Sequence, residues 1–398
     1  MEIKLLGTLT QRKIGYGIVQ PGDSIPNGVP VIKVNNIISG LHEIQDLDTT
    51  SSENSLKYNR TKLVGGELLV SVVGTIGKTA IVPPSFAGCN IVRAVAMIDI
   101  PNPEMALWVK YYIDSPSGKK YIQENLNTTV QPTLNVKSLV EMPIPLLEPE
   151  YMHNAIKILS TIDNKIELNN RINHNLEEQA QALFKSWFVD FEPFKEENFE
   201  DTEIGRIPKG WNVMLFKSFI TASTEKVVVG DLPEYSVTNN GIIPRDQKFN
   251  KKLSQSTSKN KVLRHDNLVF GMSRDILNWG IMEDEIGSVS SAYNVYTINQ
   301  DLIMPKYLRL YMMAKLPYFN DLIGTAAREG QSLDKGALFQ KAVYVPPSDI
   351  CHEFFNIYDR LIEMQQTAIL ESKQLAYYRD YILPLLLDGV LNVESVNL

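Results

Sequence analysis

Long apolar runs are missing from this sequence. The longest, Leu68-Leu69-Val70-Ser71-Val72-Val73, has the length of a strand, far short of the roughly 20 residues that a membrane-spanning helix needs. Cysteine is nearly missing too. Cys89 and Cys351 lie far apart, with no further Cys or closely spaced His beside them, which argues against a disulfide framework or a zinc site. The first residues, Met1-Glu2-Ile3-Lys4-Leu5-Leu6-Gly7, lack the basic start, apolar stretch and small-residue cleavage site of a secretory signal. The expectation is a cytoplasmic protein with no membrane partner and two buried thiols. Its 398 residues, 44% of them hydrophobic, suffice for two or three domains with cores of their own.

Catalytic constellations are missing as well. Gly74-Thr75-Ile76-Gly77-Lys78-Thr79 has the look of a phosphate-binding loop, but Val72 stands where that motif needs its first glycine. The segment reads better as a tight turn between strands that presents Thr75 and Lys78. Methyltransferases acting on amino groups of DNA bases carry an Asn-Pro-Pro or Asp-Pro-Pro loop ending in an aromatic residue, whereas the one Asn-Pro here continues as Asn102-Pro103-Glu104. A nuclease needs clustered carboxylates for Mg²⁺, usually with a lysine. Glu371-Ser372-Lys373 is a fragment of that pattern, placed on a helix where charges ordinarily face water. The histidines, His42, His153, His174, His265 and His352, show no metal-ligand spacing and no adjacent nucleophile. No catalytic residue and no metal ligand is assigned.

An excess of positive charge is the last absence, since the formal net charge is −7. The total hides a segregation. Residues 1–150 carry 13 Lys and Arg against 14 Asp and Glu, 151–203 carry 5 against 11, 204–345 carry 18 against 13, and 346–398 carry 3 against 8. Two acidic segments suit contact with protein, and the segment of +5 suits contact with phosphates.

What is present is a repeat offset by 199 residues, half the chain. Gln131-Pro132-Thr133-Leu134, Leu139 and Met142-Pro143-Ile144-Pro145-Leu146 precede one long helix. Gln331-Ser332-Leu333, Leu338 and Val343-Tyr344-Val345-Pro346-Pro347 precede another. Upstream, Leu63 to Pro83 matches Leu263 to Glu283 more loosely. The expected fold class is α+β: two mixed α/β modules, each followed by a long helix, with the helices paired as an antiparallel coiled coil. The expected limits are 1–149 for the first module, 150–190 for the first helix, 191–203 for a solvated acidic linker, 204–348 for the second module and 349–390 for the second helix. Short strands are expected at Val29 to Val34, Glu67 to Val73, Thr79 to Val82, Ile91 to Ile100, Leu268 to Met272 and Tyr293 to Ile298, with helices at Met105 to Ile113 and Pro305 to Ala314.

In the first long helix Leu159, Ile162, Ile166, Asn169, Asn173, Leu176, Ala180, Leu183 and Trp187 recur at spacings of three and four, the pattern of a helix-helix seam. The two asparagines admit two readings, a polar layer fixing register or an exposed end. The second helix repeats the pattern through Phe354, Ile357, Leu361, Met364, Ala368 and Leu375, and Pro384 should kink or end it. About 38 residues make a helix of roughly 57 Å, longer than the ~34 Å between half-sites of ordinary dimeric DNA readers. Such a pair would hold two modules at a set distance.

Polar and basic loops supply the candidate DNA contacts. Arg245, Lys248, Lys251, Lys252 and Arg264, with Lys259 and Lys261 between them, form the densest basic run and suit phosphates. Base edges call for directional side chains, typically Arg to guanine and Asn or Gln to adenine. Asn35, Asn36, Arg60, Asn127 and Gln131 qualify in the first module, and Arg274, Asn278, Arg328 and Gln331 in the second. Turns favour Asn for reasons of their own.

The chain resembles the specificity subunits of type I restriction-modification systems. The resemblance rests on the half-chain repeat, on Ala182-Leu183-Phe184-Lys185-Ser186-Trp187-Phe188-Val189-Asp190-Phe191-Glu192-Pro193-Phe194, and on Ile207-Pro208-Lys209-Gly210-Trp211. The Gly74 to Lys78 turn and Gln131-Pro132-Thr133-Leu134-Asn135 add to it, and it spans nearly the whole chain. It implies that each module recognises half of a split asymmetric site on double-stranded DNA and that the paired helices set the spacer. Two modification subunits would dock to methylate adenines, and restriction subunits would add translocation and cleavage. S-adenosylmethionine, ATP and Mg²⁺ would then belong to those partners, with no cofactor in this chain. Two departures are plain. The first module starts at Leu5-Leu6-Gly7 without the Ile-Pro-x-Gly-Trp opening, and the second has Ser273-Arg274-Asp275-Ile276 in place of the Gly-Thr-Ile-Gly turn. Rival readings are an enzyme fused to recognition modules and a structural adaptor with two protein-binding modules.

Overall fold

Leu68–Ser71 and Val95–Ile98 are buried at every position and pair antiparallel, so both faces of their sheet are covered. Side chains alternate across a strand. Leu68, Val70, Ala96 and Ile98 therefore enter one core, and Leu69, Val95 and Met97 another. In the computed structural model the described residues are 2–41, 43–127, 132–228, 232–245, 259–273, 276–323 and 333–393, without the side chain of Ser39. They divide into two units, Met1–Arg171 with Ala368–Leu398, and Ile172–Thr367.

In the first unit the sheet runs in the order Gly15–Tyr16, Val95–Ile98, Leu68–Ser71, Thr79–Ile81. Its first core lies against the helix Pro103–Asp114 and the start of the long helix, through Trp108, Val109, Ala155 and Leu159. Its second lies against Ile32, Phe86 and Ile91, around a small sheet in which Val29–Ile32 pairs parallel to Asn90–Ile91. Glu2–Leu5 pairs with Pro143–Leu146, and Arg12 ties two buried carboxylates together by donating to Glu67 and to Asp99. The apolar run Ile91 to Ile100, expected as one strand, is broken at exposed Arg93, and its two parts belong to different sheets.

The second unit has the same sheet order: Ile220–Ser223, Asn294–Ile298, Leu268–Phe270, Trp279–Ile281. The alternation recurs, with Leu268, Phe270, Tyr296 and Ile298 in one core and Val269 and Val295 in the other. Asn212–Leu215 pairs with Ala342–Val345 as Glu2–Leu5 does with Pro143–Leu146.

The long helices are Pro149–Phe188 and Ser348–Leu387. Their pairing is antiparallel in each unit. Asp163 meets Arg379 and Asn169 meets Ala368 in the first, while Asn173 meets Gln365 and Phe184 meets Phe354 in the second. On the first helix the expected seam is the inward face, with Leu159, Asn169, Leu176 and Ala180 buried and Ile162, Ile166, Leu183 and Trp187 half-buried. Asn169 is a polar layer and no exposed end: its Nδ2 donates to Glu371 (2.7 Å) and to the Ala368 carbonyl (3.5 Å). On the second helix the expected seam needs correction, because Ile357 and Met364 are exposed. The inward positions are Phe354, Tyr358, Leu361, Gln365, Ala368, Ser372, Leu375 and Arg379. The three-and-four rhythm holds, but polar residues occupy seam places that an apolar pattern search fills with the nearest Ile or Met. Pro384 falls within the last turn, so the helix continues to Leu387.

The segment 191–203 is no mere solvated linker. Glu192–Phe194 makes a 3-10 turn, Phe194 is buried, and Phe199–Thr202 pairs with Gly205–Pro208. The aromatic residues spaced among its acids decide the matter. Phe191, held at φ +54°, packs on Phe199, Trp211 and Tyr344, contacts that offset the ~1–2 kcal/mol that a left-handed L-residue costs.

Phe188 sits at the centre of this cluster. Its ring lies 4.7 Å from Phe354, 5.3 Å from Tyr307 and 5.9 Å from Trp211, and its carbonyl accepts the Tyr344 hydroxyl. Phe188→Ala is expected to cost the second unit about 3–5 kcal/mol. Urea unfolding followed by hydrogen exchange checks this, with protection in Leu268–Phe270 falling and protection in Leu68–Ser71 unchanged.

Candidate nucleic-acid interface

The Gly74 to Lys78 turn joins Leu68–Ser71 to Thr79–Ile81 and is built on one buried hydroxyl. Ser71 Oγ donates to the Thr75 carbonyl (2.6 Å) and accepts the Lys78 N–H (2.8 Å), while the Gly77 N–H reaches the Ser71 carbonyl (2.9 Å). A phosphate-binding loop would aim such N–H groups outward; here Ser71 takes them, so the turn is no phosphate cradle. Gly74 and Gly77 adopt φ +78° and +82°, and a Cβ at Gly77 would stand 3.2 Å from Ile122. The side chains of Thr75 and Lys78 are exposed.

Three further pieces of chain meet this turn. Thr133 bridges Val73, and the Leu134 N–H donates to the Val72 carbonyl (2.9 Å), so the hairpin of Leu126–Asn127 with Thr133–Leu134 lies alongside with Asn127 exposed. The Val72 N–H donates to the Ala94 carbonyl (2.8 Å), which brings exposed Arg93 to the same end of the sheet. Tyr16 braces the group by accepting the Val136 N–H (2.6 Å) and donating to the Leu134 carbonyl (3.1 Å). Burial raises its phenol, against the Val136 bond and the nearby charge of Arg93. Thr75, Lys78, Asn127 and Arg93 thus share one rim. Sequence reasoning missed Arg93, although an exposed cation inside an apolar run was the available sign.

The remaining expected contacts are placed differently. Asn35 and Asn36 lie on the helix Val34–Ser39, which leaves the end of the parallel strand pair from which the chain to Arg93 also leaves. Asn35 is exposed. Asn36 Oδ1 accepts the Lys33 N–H (2.7 Å), a capping role that ties this side chain to its own backbone. Arg60 is exposed on the turn Asn59–Thr61. In the second module Arg245 is half-buried and donates to Ser236 Oγ (3.0 Å). Arg264 makes a bidentate pair with Glu225 (3.0 and 2.7 Å), which holds the Glu225 carboxyl below its ordinary range and raises the guanidinium. Both are therefore held by protein, contrary to a free phosphate-facing reading. Lys261 donates to the Tyr293 carbonyl (2.6 Å) and Asn278 to the Met272 carbonyl (2.5 Å). Gln131, Lys248, Lys251, Lys252, Arg274, Arg328 and Gln331 lie outside the described residues.

Among the described residues no three His, Cys, Asp or Glu side chains gather as a metal site, and no helix is long and apolar enough to cross a membrane. Glu371, part of the nuclease-like fragment, faces Asn169 and Lys165. His153 contacts Glu104 and His352 the Ser348 carbonyl. Both thiols are buried and pushed up, Cys89 to about 11 and Cys351 to about 12.

Residues 21–178 match the family model of the type I restriction modification DNA specificity domain. The specificity subunit of the type I restriction enzyme EcoBI of Escherichia coli is 34% identical over 152 residues, 37% of this chain and 31% of that one; the match thus spans less than a third of that relative. The MjaIX specificity subunit of Methanocaldococcus jannaschii is 24% identical over 304 residues, 73% of this chain and 70% of its own. In fold, the chain is similar to the crystal structure of a type I restriction-modification S subunit from M. genitalium, with a TM-score of 0.55, 11% identity and coverage of 97% and 95%. With one sheet order occurring twice and a long helix after each, the chain is similar in fold to a type I restriction-modification S subunit, and its residues 21–178 are similar in sequence to the DNA specificity domain of that family.

Proposed function

We propose that this chain is the sequence-reading subunit of a type I restriction-modification complex, not catalytic alone, binding a two-part asymmetric site on double-stranded DNA. The observation that carries the reading is the recurrence of one sheet order in two units, each sheet followed in the chain by a 40-residue helix. In the first module the rim of Thr75, Lys78, Arg93 and Asn127 offers what a base-reading edge needs: exposed donors and acceptors on a stiff turn, with cations beside them for phosphates. Stiffness comes from the Ser71 bonds beneath.

The partners in this proposal are two modification subunits and the restriction subunits, which would carry S-adenosylmethionine, ATP and Mg²⁺. The acidic long helices suit protein contact. Leu159, Ile162, Ile166, Leu176, Leu183, Trp187, Leu361 and Leu375 are buried or half-buried, so the partner-facing part falls to exposed Met364, Tyr377, Tyr378 and Tyr381. A substrate of chromosomal DNA puts the complex in the cytoplasm.

Exchange of residues 1–145 for another family module is expected to change one half of the methylated site and leave the other intact, read by sequencing methylated adenines in a host carrying the complex; change in both halves defeats the modular reading. Deleting residues 166–172 together with 366–372 removes a facing heptad from each helix, roughly 10 Å of rise. The unspecified spacer should shorten by about three base pairs, and a spacer of unchanged length rules the helices out as its measure. Lys78→Ala is expected to weaken DNA binding evenly across sequences and lower the salt slope by about one, whereas Arg264→Ala, which removes a cation already paired to Glu225, should leave the slope as it is.

A further inference from the structure

We propose that Asp163 is a positioning residue that latches the reading turn of the first module to the paired helices. The inference rests on the DNA-reading role proposed above. Asp163, on the first long helix, accepts from Arg379 Nη1 of the second (2.8 Å) and from the Tyr111 hydroxyl (3.0 Å). Lys110 stands 3.6 Å from Asp163 and 3.1 Å from Asp114. Asp114 in turn accepts Thr79 Oγ1 at 2.7 and 2.8 Å, and Thr79 is the residue after Lys78. An unbroken polar path therefore leads from both helices, through the helix Pro103–Asp114, to the base of the turn. It lines a groove of about 440 Å³.

The second unit supplies the internal comparison. The residues 199 places from Asp163, Tyr111, Asp114 and Arg379 are Ile362, Leu310, Met313 and Ala180. They line a groove of about 590 Å³ at the equivalent place. In the second unit these four places are apolar, and the short helix is tied to the long helix instead by Lys306 Nζ to Asp359 (3.0 and 3.1 Å) on the wall of the same groove. Hydrogen bonds to a charged acceptor add direction, which apolar contact lacks, and this is what fixing the angle of a reading turn requires. The directions of the shifts agree. Burial alone would lower the Arg379 guanidinium, yet its bonds to Asp163 and Asp380 raise it; burial and the charge of Asp163 raise the Tyr111 hydroxyl.

The test uses the full chain assembled with its modification subunits, on the site that the wild-type complex methylates and on single-base variants of each half. Asp163→Asn keeps the shape and removes the charge. The expected result is that discrimination against variants of the half read by the first module falls about tenfold. KM for DNA should rise with kcat little changed, and discrimination in the other half should stay at the wild-type level. Ile362→Asn at the equivalent place should not reproduce this loss of selectivity. If Asp163→Asn lowers the yield of folded complex, Tyr111→Phe, which removes one hydroxyl from the path, is expected to move the same half in the same direction. Equal loss in both halves, or none in either variant, overturns the latch while leaving the reading of the chain intact. A wild-type complex that methylates DNA without sequence preference overturns that reading and the latch with it.

Discussion

In each unit the end of a long helix is part of a module's core. Phe184, Phe188 and Phe194 join Trp211, Tyr307 and Tyr344 in the second unit, and Leu383, Leu387 and Val393 join Trp108, Leu139 and Ile144 in the first. The two sets of helix-end residues are 199 residues apart. Apolar area removed from water, at about 25 cal/mol per Å², thereby couples the folding of a module to the helix that closes it. A module with its own sheet and no helix end would leave that core open. This constraint explains why the aromatic stretch from Phe184 to Phe194 and the Ile207 to Trp211 segment occur together: the first supplies the rings and the second the wall that they pack on.

The repeat preserves positions more faithfully than chemistry. Trp108 Nε1 donates to the Pro145 carbonyl at 2.7 Å, and Tyr307, 199 places on, donates through its hydroxyl to the Tyr344 carbonyl at 2.8 Å. An indole and a phenol thus fasten the same helix to the same strand, each placing a polar tip at the edge of an apolar body. The groove beside the paired helices has Asp163, Asp114 and Arg379 in one unit and Ile362, Met313 and Ala180 at the same places in the other. A duplicated backbone fixes where a side chain can act, and each half has solved the local problem with its own residues.

Legibility followed burial. Leu68–Ser71 and the helix Pro305–Ala314 were readable because continuous or periodic apolar residues mark elements whose faces are covered, whereas the equally apolar Ile91 to Ile100 hid a break at Arg93. The seam of the first helix was readable for the same reason. The second was misread at Ile357 and Met364, since Gln365, Ser372 and Arg379 hold inward places that polarity alone assigns to solvent. The acidic stretch after Asp190 misled in the opposite sense, because net charge outvoted the three phenylalanines that order it. Among the expected DNA contacts, Thr75, Lys78 and Asn127 share a rim, while Asn36, Arg245 and Arg264 are bound to their own protein. A side chain suited to a base or a phosphate is equally suited to a backbone N–H, a hydroxyl or a carboxylate, and composition does not distinguish these partners.

The sequence by itself determined that the chain is two related halves, that each ends in a helix long enough to pair, and that a glycine-rich turn interrupts the first half between two strands. These follow from periodicity and from backbone freedom, which act over a few residues or repeat at a constant offset. Only the tertiary structure decided which cations remain open, that Arg93 and Asn127 come to the same rim as Lys78, and that Asp163 and Arg379 meet. Those outcomes depend on residues up to 216 positions apart brought within hydrogen-bond distance by packing, and packing is a property of the folded cores.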